Sequence, residues 1–334
     1  MEIQFIHRNH KAGFSFMKVF NPIRDHLSKN IEVSEFEVPE YRGLPWHSLK
    51  NIWFVHNHIK KGCIHHVTGL TELALGCCHK KTVITFHDAN FMVNTKNPIS
   101  KFLKYLLRIY LPVKISDCVT CISETTKHEI LKYVKANIHV IYNPVNPQYK
   151  PYYKQFNISC PTILHIGTGW NKNLQNVIKA LNGITCHLRI IGKLSDEDIV
   201  LLNKNKINYS NGLNLTDNEI LNEYRKCDIV SFPSIYEGFG MPIIEGQAIG
   251  RCVITSNINP MVEIAGTAAV FVSPQSVMEI HNAFLKVILD QNFRNDLIKK
   301  GFENINRFKL EKICNEYMNV YKNLIYAKKY CDNK

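Results

Sequence analysis

Short apolar runs rich in β-branched residues alternate with helical patterns along almost the whole chain, and this alternation constrains the fold more than any other feature. The spacing predicts strands near 2–7, 31–37, 52–55, 63–67, 82–87, 117–122 and 138–142. A second series follows near 162–166, 187–191, 206–209, 228–232, 252–255 and 269–272. Strands separated by helical segments form parallel sheets, because parallel neighbours need long crossover connections. Between the two series runs Asn143-Pro-Val-Asn-Pro-Gln-Tyr-Lys-Pro151, whose prolines read as a linker. The chain of 334 residues is long enough for two α/β domains of ordinary size, so two doubly wound, Rossmann-like domains are expected.

Composition narrows the class. Apolar content is 45% and charged content 21%, which suits a soluble globular protein, and no window approaches the roughly 18 uninterrupted apolar residues of a membrane span. Met1-Glu2-Ile-Gln-Phe-Ile-His7 reads as a first strand, not as a secretory leader. The eleven cysteines are scattered through apolar runs, as expected of reduced, buried thiols in a cytosolic protein. Cys118-Val-Thr-Cys121 has the C-x-x-C spacing, yet strand alternation puts its thiols on opposite faces. Cys77-Cys78 has no partner pair at zinc spacing. Net charge is +13. Residues 1–150 carry 20 Lys/Arg against 11 Asp/Glu, and twelve of the fifteen histidines. A basic first half points to an anionic surface or substrate: lipid head groups, a phosphorylated acceptor or nucleic acid.

The chemistry concentrates at strand ends. Asp228-Ile-Val-Ser-Phe-Pro233 leads into Glu237-Gly-Phe-Gly-Met-Pro-Ile-Ile-Glu245: a buried strand, a glycine turn, then a helix. Gly238 and Gly240 permit backbone angles closed to other residues. Pro242 suits a first helical turn, and the N–H groups there form an anion site. Glu245 lies about two turns further along than Glu237. This segment resembles the signature of the retaining glycosyltransferases of family 4 (glycosyl transferases group 1), which have the GT-B fold. That resemblance implies two Rossmann-like domains facing across a cleft and a C-terminal helix crossing back to the N-terminal domain. The corresponding boundaries are 1–147 for an acceptor-binding domain, 148–312 for a nucleotide-sugar-binding domain and 313–334 for the returning helix. It also implies that Glu237 meets the donor sugar and that Glu245 holds the ribose, with Gly238, Phe239, Gly240 and Met241 lining the donor.

Further segments extend the resemblance. Thr162-Ile-Leu-His-Ile-Gly-Thr-Gly-Trp-Asn-Lys-Asn-Leu174 is similar to the first strand-turn-helix of the family's donor domain. Lys172 would there neutralise the donor diphosphate, beside Gly167 and Thr168. Thr168 stands where the family often has Arg. Thr82-Val-Ile-Thr-Phe86 delivers His87-Asp88, a pair that resembles the motif facing the transferred sugar or the acceptor. His65-His66 is a second candidate for the acceptor pocket. The loop from His7 to Ser15, with Gly13, would approach the donor phosphate. Asn257 to Gly266 resembles the segment after the second Glu, where Glu263 is read as structural. Asp196-Glu-Asp198, Ser123-Glu-Thr-Thr126 and Thr216-Asp-Asn-Glu219 all read as helix starts, not as metal ligands or nucleophiles. Residues 101–111 carry cations at Lys101, Lys104 and Arg108. They form either a core helix with one wet face, the favoured reading, or an interfacial helix on anionic lipid.

The resemblance implies a retaining transfer from a nucleotide sugar to an acceptor hydroxyl, with Glu237, Lys172 and His87 as catalytic residues. It implies no metal and no cofactor beyond the donor co-substrate. The expected setting is bacterial surface polysaccharide assembly in the cytoplasm, with a glycan or lipid-linked acceptor and peripheral contact with the inner membrane face. A GT-B sugar-nucleotide epimerase and a non-catalytic nucleotide-sugar-binding or nucleic-acid-binding protein remain alternatives. Against nucleic acid stands the lack of any recognisable module for it.

Overall fold

The structure, a computed structural model, describes every residue except 13, 14, 42–44, 78–80, 94 and 332–334. The chain forms two units, Met1–Pro144 with Leu310–Lys334, and Val145–Lys309. The first crossing falls at Val145 because its N–H donates to the Phe308 carbonyl of the second unit (2.9 Å).

The first unit holds six strands: β1 Glu2–His7, β2 Glu32–Glu37, β3 Ile64–Val67, β4 Thr82–Phe86, β5 Cys118–Cys121 and β6 Ile138–Val140. They form one parallel sheet in the order β2-β1-β3-β4-β5-β6. β3, β4 and β5 are buried throughout, as continuous apolar runs in a sheet covered on both faces should be. Residues 52–55, expected as a strand, lie inside the helix Pro45–His58. β2 and β3 belong to one parallel sheet, so the chain between them must cross over, and the run Ile52-Trp-Phe-Val55 supplies part of that crossover. Cys118 and Cys121 are buried in β5, and burial pushes both thiols up, Cys118 to about 11, which leaves them unreactive.

The last helix, Leu310–Cys331, belongs to the first unit and packs on the helix Ser15–Leu27. Its Tyr317 and Tyr321 are fully buried. The favoured core reading of residues 101–111 is overturned. They span an α-helix Pro98–Tyr105 with no buried residue, a π-helical turn Leu106–Tyr110 and the start of the helix Leu111–Ile115. Of 101–111 only Ile109 is buried. Phe102, Leu103, Leu106 and Leu107 share one arc of about 140° around the axis, yet Phe102, Leu103 and Leu107 stay exposed, so this stripe faces solvent and not the core.

The second unit holds β7 Thr162–Ile166, β8 His187–Ile191, β9 Tyr209–Gly212, β10 Ile229–Phe232, β11 Cys252–Ser256 and β12 Val270–Val272. Their order in the sheet is β12-β11-β10-β7-β8-β9, again parallel. Ile163, Leu188, Ile229 and Ile254 from four adjacent strands pack with Val177, Phe284 and Val287 from the covering helices. Helix starts fall where the capping residues predicted. Ser195 and Asp198 form a capping box, as do Thr216 and Glu219, and Ser123 accepts from the Thr126 N–H. Asp196-x-Asp198 is therefore a helix start. Among the described residues no helix is long and apolar enough to cross a membrane.

Candidate active site

In an open parallel sheet a ligand crevice forms beyond the carboxyl ends of the strands where the strand order reverses. In the second unit that point lies between β7 and β10, which are direct neighbours in the sheet. The loops leaving these two strands carry Gly167 to Lys172 and Pro233 to Gly240, and the structure joins them closely. Lys172 Nζ donates to Glu237 Oε1 at 2.6 Å and lies 4.9 Å from the centroid of the Phe232 ring. Asn171 Nδ2 donates to the same carboxylate oxygen (3.2 Å) and to the Tyr236 carbonyl (3.0 Å), while the Ile235 N–H donates to the Asn171 carbonyl (2.8 Å). Asn173 takes the left-handed conformation (φ 63°) and donates to the carbonyls of Pro233 (2.9 Å) and Pro274 (2.7 Å). Lys172 therefore sits on a one-turn 3-10 segment, Trp170–Lys172, clamped to the opposite loop on both sides.

Gly167 makes this close approach possible. Its φ is +93°, and a Cβ there would lie 2.9 Å from Lys172 Cγ. Thr168 plays a local part: its hydroxyl donates to the Lys193 carbonyl (2.6 Å), and its side chain fills the space that a Cβ on Gly192 would need. At the other loop, Gly240 (φ +113°) is left-handed and caps the helix Met241–Ile249, with Pro242 in the first turn. Gly238 is not among the left-handed glycines, so the special conformation expected at both positions is needed at one. Phe239 is buried edge-on against Phe308, which leaves its backbone as the part that faces the turn. Met241 stays half-buried at the first helical position. Four residues later Glu245 Oε2 accepts from the buried Tyr224 hydroxyl at 2.6 Å.

In the first unit the strand order reverses between β1 and β3. His7 ends β1 and its Nδ1 lies 2.8 Å from Thr68 Oγ1, just beyond β3. His87 follows β4. Its Nε2 lies 2.8 Å from the Thr68 carbonyl; a carbonyl can only accept, so Nε2 carries the ring proton. Burial lowers the His87 pKa to about 3, so the ring is neutral at pH 7. Asp88 Oδ1 accepts from the Asn90 N–H (2.9 Å) and starts the next helical turn; burial raises its pKa. Arg8 faces the same carboxylate, and burial lowers its pKa to about 10.

Two expected acceptor residues are not at this edge. His65 is fully buried, with Nε2 3.0 Å from the Lys60 carbonyl in the loop that enters β3, the opposite end of the strand. His66 is fully buried between Thr85 Oγ1 and the Tyr321 hydroxyl, each 2.7 Å away. Both belong to the interior of the first unit, because strand alternation within a covered sheet points each into a packed layer. Gly13 lies outside the described residues. Arg8, Asn171, Asn173 and Tyr224 were not anticipated as site residues. The only available signals were a cation directly after a strand and an Asn-Lys-Asn run after a turn glycine.

A cavity of about 720 Å³ lies at the amino edge of the second sheet. Its charges are already engaged: Asp228 pairs with Lys154 and accepts from the Thr162 N–H, and Arg251 donates to the carbonyls of Tyr152, Tyr224 and Arg225.

Comparison with known proteins bears on both units. The family described as glycosyl transferases group 1 matches residues 160–304, and glycosyltransferase family 4 matches residues 18–149. The chain belongs to the family 4 glycosyltransferases. It is similar to the O-antigen chain mannosyltransferase RfbU of Salmonella typhimurium, with 28% identity over 68% of this chain and 67% of that protein. Among solved structures it is similar to sucrose-phosphate synthase from Thermosynechococcus elongatus (TM-score 0.82, 16% identity, 98% of this chain and 100% of that one). It is also similar to Anabaena HepE, solved in complex with UDP and glucose (TM-score 0.73, 14% identity, 96% and 99%). The fold is that of GT-B, with one Rossmann-like unit matched by each family description.

Proposed function

We propose that this glycosyltransferase transfers a hexose, with retention, from a nucleotide-sugar donor to an acceptor hydroxyl in the assembly of a surface polysaccharide. One observation carries the assignment of the donor site: Lys172 and Glu237, from the two loops that flank the switch point of the second sheet, are in direct contact beside the left-handed Gly240 that opens a helix. In the reaction the acceptor oxygen bonds to the anomeric carbon as the bond from that carbon to the diphosphate breaks. Both bonding electrons leave with the diphosphate, which takes up the acceptor proton. Negative charge therefore grows on the leaving group. The Lys172 ammonium and the Met241 N–H at the start of the helix Met241–Ile249 are the groups that would meet it. Glu237 holds the ammonium in position before the donor arrives and accepts from the sugar hydroxyls afterwards. Glu245, oriented by Tyr224, accepts from the ribose hydroxyls. In the first unit, neutral His87 serves the sugar or acceptor hydroxyl.

The complex of HepE with UDP and glucose supports a nucleotide-sugar donor, and the similarity to the O-antigen chain mannosyltransferase RfbU supports an O-antigen setting. The test is release of nucleoside diphosphate from a panel of UDP-, GDP-, CDP- and dTDP-sugars in the presence of glycan acceptors. One donor should turn over, its product should keep the donor's anomeric configuration, and Lys172→Ala should cut turnover about 100-fold or more, the usual effect of removing an electrostatic stabiliser. An inverted product would refute retention. Full activity in Lys172→Ala would remove the assigned leaving-group role.

A further inference from the structure

We propose that one face of the first unit, formed by the helices Pro45–His58 and Pro98–Tyr105 and the π-helical turn after them, docks on an anionic lipid bilayer. This inference stands independently of the donor-site reading. Sheet topology puts these helices on one side. The connections β2 to β3, β3 to β4 and β4 to β5 all run in the same direction across the sheet, whereas β1 to β2 runs the other way. Right-handed crossovers therefore place Pro45–His58, the 3-10 segment Thr71–Cys77 and residues 98–115 on one face, and Ser15–Leu27 on the other. The contacts agree: Thr71–Cys77 packs against both Pro45–His58 and Leu111–Ile115, while Ser15–Leu27 packs on the last helix.

On this face large apolar groups point to solvent. Trp46, Leu49 and Trp53 form a stripe at i, i+3 and i+7 of the first helix, with Trp53 70% exposed. Ile99, Phe102 and Leu103 project from the second, with Ile99 72% and Phe102 60% exposed. Clusters of this kind mark an interaction surface. The charge pattern selects the occupant. No Asp or Glu occurs from residue 89 to 116, a stretch with five Lys/Arg, nor from residue 41 to 71, which carries four. Lys96 precedes the second helix and Lys101 lies between Ile99 and Phe102 in sequence, and both are exposed. Lysines among exposed tryptophan and phenylalanine match the interfacial zone of a bilayer with negative head groups. Interfaces between proteins are instead depleted of lysine.

Flotation of the full chain with phosphatidylcholine vesicles, with and without 30% phosphatidylglycerol, tests the proposal. The protein should float with anionic vesicles, and added salt should weaken the association. Lys96→Ser with Lys101→Ser should lower the partition constant about 25-fold, at about five-fold per cation. Trp53→Ser with Phe102→Ser should lower it at least about ten-fold through lost apolar burial, and should leave nucleotide-induced thermal stabilisation unchanged. Failure to float, equal partition onto neutral and anionic vesicles, or wild-type partition by the Trp53/Phe102 variant would each overturn the proposal. So would a dimer, seen by light scattering, that Trp53→Ser dissociates, since it would assign the face to a second copy of the chain.

Discussion

Replacing Gly167 by alanine should damage catalysis through a lysine five residues away. The backbone there has φ +93°, where an L side chain costs about 1–2 kcal/mol. The new Cβ would meet three carbons of the Lys172 stem, at 2.9, 3.0 and 3.2 Å. The nearest is Cγ, close to the Lys172 backbone, so the stem must swing and the ammonium must leave Glu237. Loss of that half-buried pair adds about 1 kcal/mol, for a total of about 2–3 kcal/mol. In a unit of this size that lowers Tm by about 4–12 °C. Turnover should fall about 100-fold or more, because the group proposed to meet the leaving diphosphate is displaced. The assay is a double-mutant cycle with Lys172→Ala, read by nucleoside diphosphate release and by thermal unfolding. If Gly167 acts through Lys172, the double variant loses no more activity than Lys172→Ala alone, and its stability cost shrinks to the backbone part. Losses that multiply, or a Gly167→Ala enzyme within three-fold of wild type, would refute the reasoning.

Three further outcomes follow from other contacts. Tyr224→Phe removes a charge-assisted hydrogen bond of 2.6 Å to Glu245 and should weaken nucleotide binding about ten-fold in calorimetric titration, with the same base preference. Asn173→Ala deprives two carbonyls of their donor and puts alanine at φ 63°; denaturant unfolding should show a loss of about 3 kcal/mol, and Asn173→Gly should recover about 1 kcal/mol of it. Burial lowers the pKa of His66 to about 3 and that of His165 to about 4, from 6.5. Below pH 6.5 the unfolded chain therefore binds protons that the folded chain does not, and stability falls as the pH drops toward those values. Each histidine should cost about 1.4 kcal/mol at pH 5.5 relative to pH 7.5, and a flat denaturation profile over that range would contradict their burial.

The doubly wound fold was legible because parallel strands need crossovers, and eleven of the twelve strands fall within a residue or two of their predicted ends. Residues 52–55 misled because Ile-Trp-Phe-Val is as apolar as a buried strand, and only the connection from β2 to β3 shows it must be helical. β9 begins at Tyr209, where the prediction ended: the Ile207 N–H still donates to the Leu202 carbonyl of the preceding helix, and pairing with β8 starts with Leu188 opposite Tyr209. The sequence pointed to Lys172, Glu237 and Glu245 through glycine turns at strand ends, and the structure adds what holds them. Asn171, Asn173 and Tyr224 act across 21 to 101 residues of chain, and no local pattern reports such partners. The histidines erred for a related reason. His65, His66 and His87 all sit at or near strand ends in sequence, but only the packing of Tyr321 and the loop entering β3 reveals that the first two point inward.

The central claim is that the switch point of the second sheet binds a nucleoside diphosphate. Thermal unfolding of wild type and Glu245→Ala with UDP, GDP, CDP, dTDP and ADP tests it most directly. The account predicts that one base stabilises wild type by about 2.7 kcal/mol at 100 times its Kd, a rise of about 5–11 °C. It also predicts that Glu245→Ala shows little of that rise at the same concentration. Equal stabilisation of both proteins, or none of wild type by any nucleotide, would contradict it.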